Sequence, residues 1–223
     1  MDHDRSEPSS LVSLEEHRLA RRHPALVQVE GYWEALKGGR LVPNRAEIDP
    51  RGLAGALEHA FVLERIAPGL ARFRVAGMHL SDLMGLEVRG MPISATFTPD
   101  SRPDLSRALE AAFNEPARIR MLLKGEDGIG RPGLLGEMTL LPLRADAGEV
   151  SRALGCVVME GGIGRQPRRL SITSMEHQTL TGYADSEAPR VPAAPSAPTA
   201  TAPRRKPDRE RAPFLRLVHS TEG

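Results

Sequence analysis

The composition is that of a globular protein and excludes several classes of function. The chain has 223 residues, of which 40% are hydrophobic, 26% charged and 4% aromatic, and 30 basic residues balance 29 acidic ones. This balance gives no reason to expect a nucleic-acid partner. The single cysteine, Cys156, excludes an intrachain disulfide framework. Because the chain has neither a signal-peptide pattern nor a long apolar run, we expect a cytoplasmic protein without membrane contact.

The first predicted elements are helical. A helix is predicted over residues 24–37, ending at Gly38 and Gly39. Four apolar residues lie at helical spacing in this segment, namely Leu26, Val29, Trp33 and Leu36. A short helix is predicted after Asp49 and Pro50, because an N-cap residue followed by proline is typical of a helix start.

Strand patterns then alternate with helices. Two segments of alternating polarity flank Pro68 and Gly69 and predict an antiparallel hairpin. A short helix over 77–85 and an amphipathic helix from Ser101 to about Pro116 follow. Three further strands are predicted, over residues 118–124, 134–143 and 153–160. This order predicts an α+β fold, a five-stranded antiparallel sheet with helices on one face.

The regions at the two ends differ in composition from this domain. We assign residues 1–23 to an N-terminal extension, 24–165 to the domain and 166–213 to a disordered linker, since residues 184–213 hold seven of the 19 prolines. A short apolar peptide, 214–223, ends the chain. It is either a fraying terminus or a peptide that docks on a partner.

Specific residues resemble a known family. The segments that carry the resemblance are GYWEALKGGR at 31–40, PNRAEIDP at 43–50, FVLE at 61–64, FRVAG at 73–77 and GLEVRGMP at 85–92. They resemble an alphaproteobacterial family of stand-alone PAS-domain proteins, formerly a domain of unknown function. The resemblance covers about residues 26–161. It implies a PAS-type fold in a regulatory protein without an attached kinase or cyclase, and it supplies neither a ligand nor a catalytic set.

In a PAS-like fold, a small ligand cavity lies between the sheet and the helices. The candidate residues for its lining are Phe61, Phe73, Met78, Leu83, Met84, Phe97, Phe113, Met121, Met138 and Cys156. Methionine side chains adapt to irregular ligands, which favours a cavity. The alternative is that these apolar residues simply fill a packed core.

Neither haem nor flavin is expected as a cofactor. His79 could serve as an axial haem ligand, but a surface or capping histidine is the commoner role. Cys156 lies in a predicted strand, outside the helix motif that a flavin-adduct photosensor needs, so a small buried side chain is the better interpretation.

No pattern of an enzyme or a metal site is present. The seven histidines are scattered and none has zinc-ligand spacing. The sequence also lacks a Gly-x-Ser-x-Gly nucleophile motif and a phosphate-binding loop with its lysine. We therefore expect neither enzymatic activity nor a bound metal.

Two functional hypotheses remain. The first is a PAS-type sensory or regulatory module of a signalling pathway that acts through protein–protein contact, with or without a small ligand in its core. The second is a ligand-independent adaptor whose C-terminal peptide recruits a partner. Helix 24–37 packs on the sheet or pairs with a second copy to give a homodimer. The interface candidates are Leu26, Val29, Trp33, Leu36, Phe214, Leu215 and Leu217.

Overall fold

The computed structural model describes residues 22–181. The predicted extension before residue 22 and the C-terminal peptide lie outside the described residues. The described helices and strands are α1 (Pro24–Lys37), β1 (Ala60–Ala67), β2 (Leu70–Ala76), α2 (Met78–Met84), α3 (Arg102–Asn114), β3 (Ala117–Gly125), β4 (Leu134–Arg144), β5 (Val150–Gly161) and β6 (Leu170–Thr179). Short 3₁₀ turns lie at Arg45–Glu47, Pro50–Leu53, Ile93–Thr96 and Pro99–Ser101.

The strands form one antiparallel sheet in the order β2-β1-β5-β4-β3-β6. The β1–β2 hairpin pairs with β5, the strand that lies far along the chain, so the segment with α2 and α3 crosses one face of the sheet. The predicted α+β antiparallel fold is confirmed.

The sheet has six strands where the sequence predicted five. The sixth strand, β6, lies within residues 166–213, and the assignment of that segment to a disordered linker is wrong for residues 170–179. Most β6 side chains are exposed, so the strand lacks a continuous apolar face. Backbone pairing with the whole of β3 holds it in place instead.

Helices cover both faces of the sheet, and not one face as predicted. Alternate residues of a strand point to opposite faces. Phe61 and Leu63 join a core under α2 and α3, here called the front core, whereas Ala60 and Val62 join a second core under α1, the back core. The central strands are apolar on both sides, as strands covered on both faces are.

Helix α1 has well-defined ends. His23 is its N-cap, and Nδ1 of that imidazole accepts a hydrogen bond from the Ala25 amide at 3.2 Å. Pro24 occupies the first helical turn, where a missing N–H costs nothing. Gly38, with φ of +56°, ends the helix in a conformation that favours glycine.

A buried arginine fixes the connection between β5 and β6. Arg168 is fully buried, and its guanidinium donates to the carbonyl oxygens of Gly162, Ile163 and Pro132, the last at 2.8 Å. Its backbone amide donates to the Leu83 carbonyl of α2. Within residues 22–181 no carboxylate pairs with it, so carbonyl dipoles alone stabilise this cation.

Candidate functional site

Most of the predicted cavity residues do come together. Eight of the ten lie in the front core, between the sheet and helices α2 and α3. They are Phe61, Phe73, Leu83, Met84, Phe97, Phe113, Met121 and Met138, and each is at most 6% exposed.

The front core is packed by its own large side chains. The rings of Phe61 and Phe73 meet edge to face with their centroids 5.5 Å apart. Gly155 on β5 leaves room for Phe61, since a Cβ atom there would overlap that ring. Met121 and Met138 face each other in register across β3 and β4. These side chains are apolar and are buried against one another.

Polar groups at the edge of the front core are already bonded. Thr96 is buried, and its hydroxyl donates to the Ile93 carbonyl at 2.8 Å. The Ser101 hydroxyl accepts a hydrogen bond from the Ile172 amide of β6 at 3.0 Å. A polar ligand would have to replace these bonds, at a cost for each group left unpaired.

Met78 and Cys156 lie away from the other eight candidates. Met78 is the first residue of α2 and is 67% exposed. Cys156 is buried in the back core, because it pairs with Ala60 and Thr139, whose side chains also point to that face. Burial raises the pKa of Cys156 to about 12, so this thiol stays protonated and unreactive at neutral pH.

His79 belongs to a row of three histidines. Its ring centroid lies 4.7 Å from that of His59, and His59 lies 5.2 Å from His23. Nε2 of His79 accepts a hydrogen bond from the Met159 amide of β5 at 3.1 Å, so its proton is assigned to Nδ1. Burial lowers the pKa of His79 to about 4 and also lowers that of His59. The row therefore brings the N-cap of α1, the residue before β1 and α2 together. Their lowered pKa values keep the rings of His59 and His79 neutral at neutral pH.

The interface candidates of α1 contact the chain's own sheet. Leu26, Val29 and Trp33 are at most 1% exposed in the back core. The Trp33 indole donates to the Pro142 carbonyl at 2.9 Å, and the Arg118 guanidinium lies over its ring. Leu36 is half-buried. Of the two alternatives for this apolar side, the structure places it on the sheet. Phe214, Leu215 and Leu217 lie outside the described residues.

A charged cluster borders α1 on its β3 side. Arg22 bridges two buried carboxylates: its Nη2 lies 2.7 Å from Glu30 Oε1 and 2.9 Å from Glu137 Oε1. Burial by itself would raise the pKa of Glu30, but the hydrogen bond and charge of Arg22 outweigh it and hold the pKa below its usual value. Arg120 adds a second cation, with Nε 3.2 Å from Glu137 Oε1.

Beyond this cluster, part of the back face is uncovered within the described residues. We call it the β3–β6 surface; it comprises Arg118, Arg120, Leu122, Ser174, Glu176 and Gln178. A pocket of about 150 Å³ lies between this surface and Arg22. Arg120 is 36% and Glu176 76% exposed at the side chain. The β6 side chains of this surface are exposed and its β3 side chains are half-buried, and the surface carries charges of both signs.

Sequence reasoning missed the buried charges. Glu137 interrupts an otherwise apolar strand, and that interruption was a usable signal for a buried ion pair. The sequence around Glu30 and Arg168 does not indicate that their charges are buried, since each residue lies in a segment of mixed polarity.

Two further findings concern metal and membrane. Residues 22–181 contain no group of three or more His, Cys, Asp or Glu side chains that could hold a metal ion. None of the helices described in that range has both the length and the apolar character needed to cross a membrane.

The sequence also matches a known family. A family model described as PAS domain matches residues 21–158, which is more than half of the chain and runs from the start of α1 into β5. No curated protein matches the chain. Together with the fold, the match shows that this chain belongs to the PAS domain family.

Proposed function

We propose that this chain is a regulatory module that acts by binding another protein at the β3–β6 surface and along the adjoining outer edge of β6. PAS domains are in general non-catalytic sensory modules, and they often mediate protein interactions. The observation that carries the proposal is strand β6, an exposed edge strand that continues the sheet beyond the residues matched by the family model.

Only the start of β6 is covered on its outer side. The Leu170 carbonyl accepts a hydrogen bond from the Thr98 amide, and the Ile172 amide donates to Ser101. From residue 173 to 179, β6 has no strand on its outer side among residues 22–181. Its unpaired N–H and C=O groups can bond to an added strand of a partner, and side chains such as Glu176 can select that partner.

The packing of the front core favours action without a ligand. Phe61, Phe73 and their neighbours are buried against one another, and the adjoining hydroxyls are bonded internally. Binding of a small ligand in the core remains a hypothesis that needs side-chain rearrangement. A bound mass in native mass spectrometry of the purified protein would support it.

Site-specific photo-crosslinking tests the proposed surface. A photoreactive residue replaces Ser174 in the full chain, and a matched variant carries it at Arg107, an exposed position on α3. We expect a discrete crosslinked product from position 174 and none from position 107, in the cells that make the protein. Equal crosslinking at the two positions, or none at either, would contradict the proposal. The mass of the product distinguishes a second copy of the chain from a different protein.

The adaptor hypothesis gives a different result in the same experiment. If the tail around Phe214 carries recognition, deleting residues 184–223 abolishes the crosslink at position 174. If the β3–β6 surface carries it, the crosslink persists after the deletion.

A further inference from the structure

A ring of arginines surrounds one carboxylate on the back face, on the β2 side of the sheet. Glu64 Oε2 lies 2.8 Å from Arg72 Nε and Nη2 and 2.8 Å from Arg74 Nε, while Oε1 lies 2.7 Å from Arg152 Nη1. We call these four residues the arginine ring. They belong to three adjacent strands, so the ring is built on a rigid surface.

The strand register explains the ring. Glu64 pairs with Arg72 of β2 on one side and with Arg152 of β5 on the other, and paired residues share a face of the sheet. A register shift between Val62 and Leu63 leaves Arg74 as an extra, unpaired residue on β2. This β-bulge brings Arg74 to the same carboxylate as Arg72.

The charges of the ring do not balance. Burial alone would raise the pKa of Glu64, but the hydrogen bond from Arg72 and the charges of Arg152 and Arg74 outweigh it and hold the pKa below its usual value. One ionised carboxylate therefore faces three guanidinium groups. Each guanidinium has five N–H donors, and Glu64 engages only a minority of them. The ring thus holds the arginines in place and leaves both positive charge and donors free.

A fourth arginine completes a pocket beside the ring. The pocket is about 240 Å³ and is lined by Arg72, Phe73, Arg74, Arg89 and Gly90. The Gly90 amide donates to the Phe73 carbonyl at 2.8 Å, and the Phe73 amide donates to the Met91 carbonyl at 3.0 Å, which fixes this segment against the edge of β2. Gly90, with φ of +83°, supplies the turn.

Arg89 contributes a further guanidinium group to the pocket. Its side chain has no ion pair within residues 22–181. The nearby Glu87 carboxylate accepts a hydrogen bond from the Arg89 backbone amide at 3.0 Å. The pocket therefore faces Arg72, Arg74 and Arg89, and behind it the single carboxylate of Glu64 is shared among three cations.

We propose that this pocket binds the phosphate group of a small phosphorylated molecule. Guanidinium groups donate to phosphate through pairs of parallel N–H bonds, and the charge of phosphate is concentrated in one compact group. The free positive charge here is likewise concentrated in one small pocket. An extended acidic peptide would need cations spread along a strand or a groove instead. The arginines of the site belong neither to the front core nor to the β3–β6 surface.

Titration of the full chain with inorganic phosphate and pyrophosphate tests the proposal. Ionic strength is held constant with chloride, and the arginine Nε–H signals are followed by NMR. We expect saturable shifts for the signals of Arg72, Arg74 and Arg89. The double variant R74Q/R89Q should bind at least about tenfold more weakly, because it removes two of the phosphate's donors. The variant R107Q, which removes one exposed charge on α3, should bind as the unchanged chain does.

Three results would overturn the proposal. They are shifts that do not saturate, an equal loss of affinity in R107Q, and tighter binding of a glutamate-rich peptide than of pyrophosphate. The last result would assign the pocket to an acidic protein surface. If R74Q/R89Q does not fold, R89Q alone serves, since Arg89 has no described ion pair to lose; unchanged phosphate affinity in folded R89Q would also contradict the proposal.

Discussion

Acid should destabilise this domain through His79. Nε2 of that ring accepts the Met159 amide hydrogen, and only an unprotonated nitrogen can do so. The charged and titratable groups that face it are His59, His23, Asp82 and Glu58. Burial lowers its pKa to about 4, whereas a histidine in an unfolded chain titrates near about 6.5.

The sign and size of the effect follow from these two values. Between pH of roughly 6.5 and 4, the unfolded chain binds a proton at this position that the folded chain does not, so the free energy of unfolding falls as the pH falls. The full difference corresponds to about 3 kcal/mol. Since the ring of His79 is only half-buried, solvent screening reduces this contribution to about 2 kcal/mol.

Urea unfolding at pH 7.5 and pH 4.5 measures this contribution. The variant H79Q keeps an acceptor for the Met159 amide but does not titrate, so it should lose about 2 kcal/mol less than the unchanged chain between the two pH values. The control H177Q removes an exposed histidine of β6 and should lose as much as the unchanged chain. An equal pH dependence in H79Q and the unchanged chain would refute the role assigned to His79.

Three further outcomes test the packing described above. R168M removes the bonds from the Arg168 guanidinium to three backbone carbonyls and should cost about 3 kcal/mol in thermal unfolding, whereas R165M at an exposed position should cost little. G155A forces a methyl group against the Phe61 ring and should lower the free energy of unfolding by about 1–3 kcal/mol. The double variant G155A/F61L should recover part of that stability. Cys156 should react with a thiol reagent only as fast as the chain unfolds in urea, and a fast reaction of the folded protein would contradict its burial.

The parts of the fold that rest on periodicity were predictable from the sequence. Alternating polarity located β1 to β3, and mostly apolar runs located β4 and β5. Eight of the ten cavity candidates share the front core. Cys156 was placed on the wrong face, since a central strand that is apolar on both sides gives no alternation to assign a face.

Other features depend on pairing between distant segments. Strand β6 buries few side chains, and its stability comes from backbone bonds to β3 that no local pattern reports. The contact of Arg22 with Glu137 and the ring around Glu64 each require the register of neighbouring strands. A charged residue in a strand can signal that a partner exists, but it cannot say which residue the partner is.

The two cores share the same central strands, and this limits how the domain can change its state. In β4, Leu140 lies in the front core and its neighbour Leu141 in the back core. A slip of one residue would exchange the two cores' side chains along the entire strand, so sliding between strands is forbidden by both cores at once. A conformational change that crosses this sheet therefore alters the twist of the sheet or the position of a helix, while every strand pairing is kept.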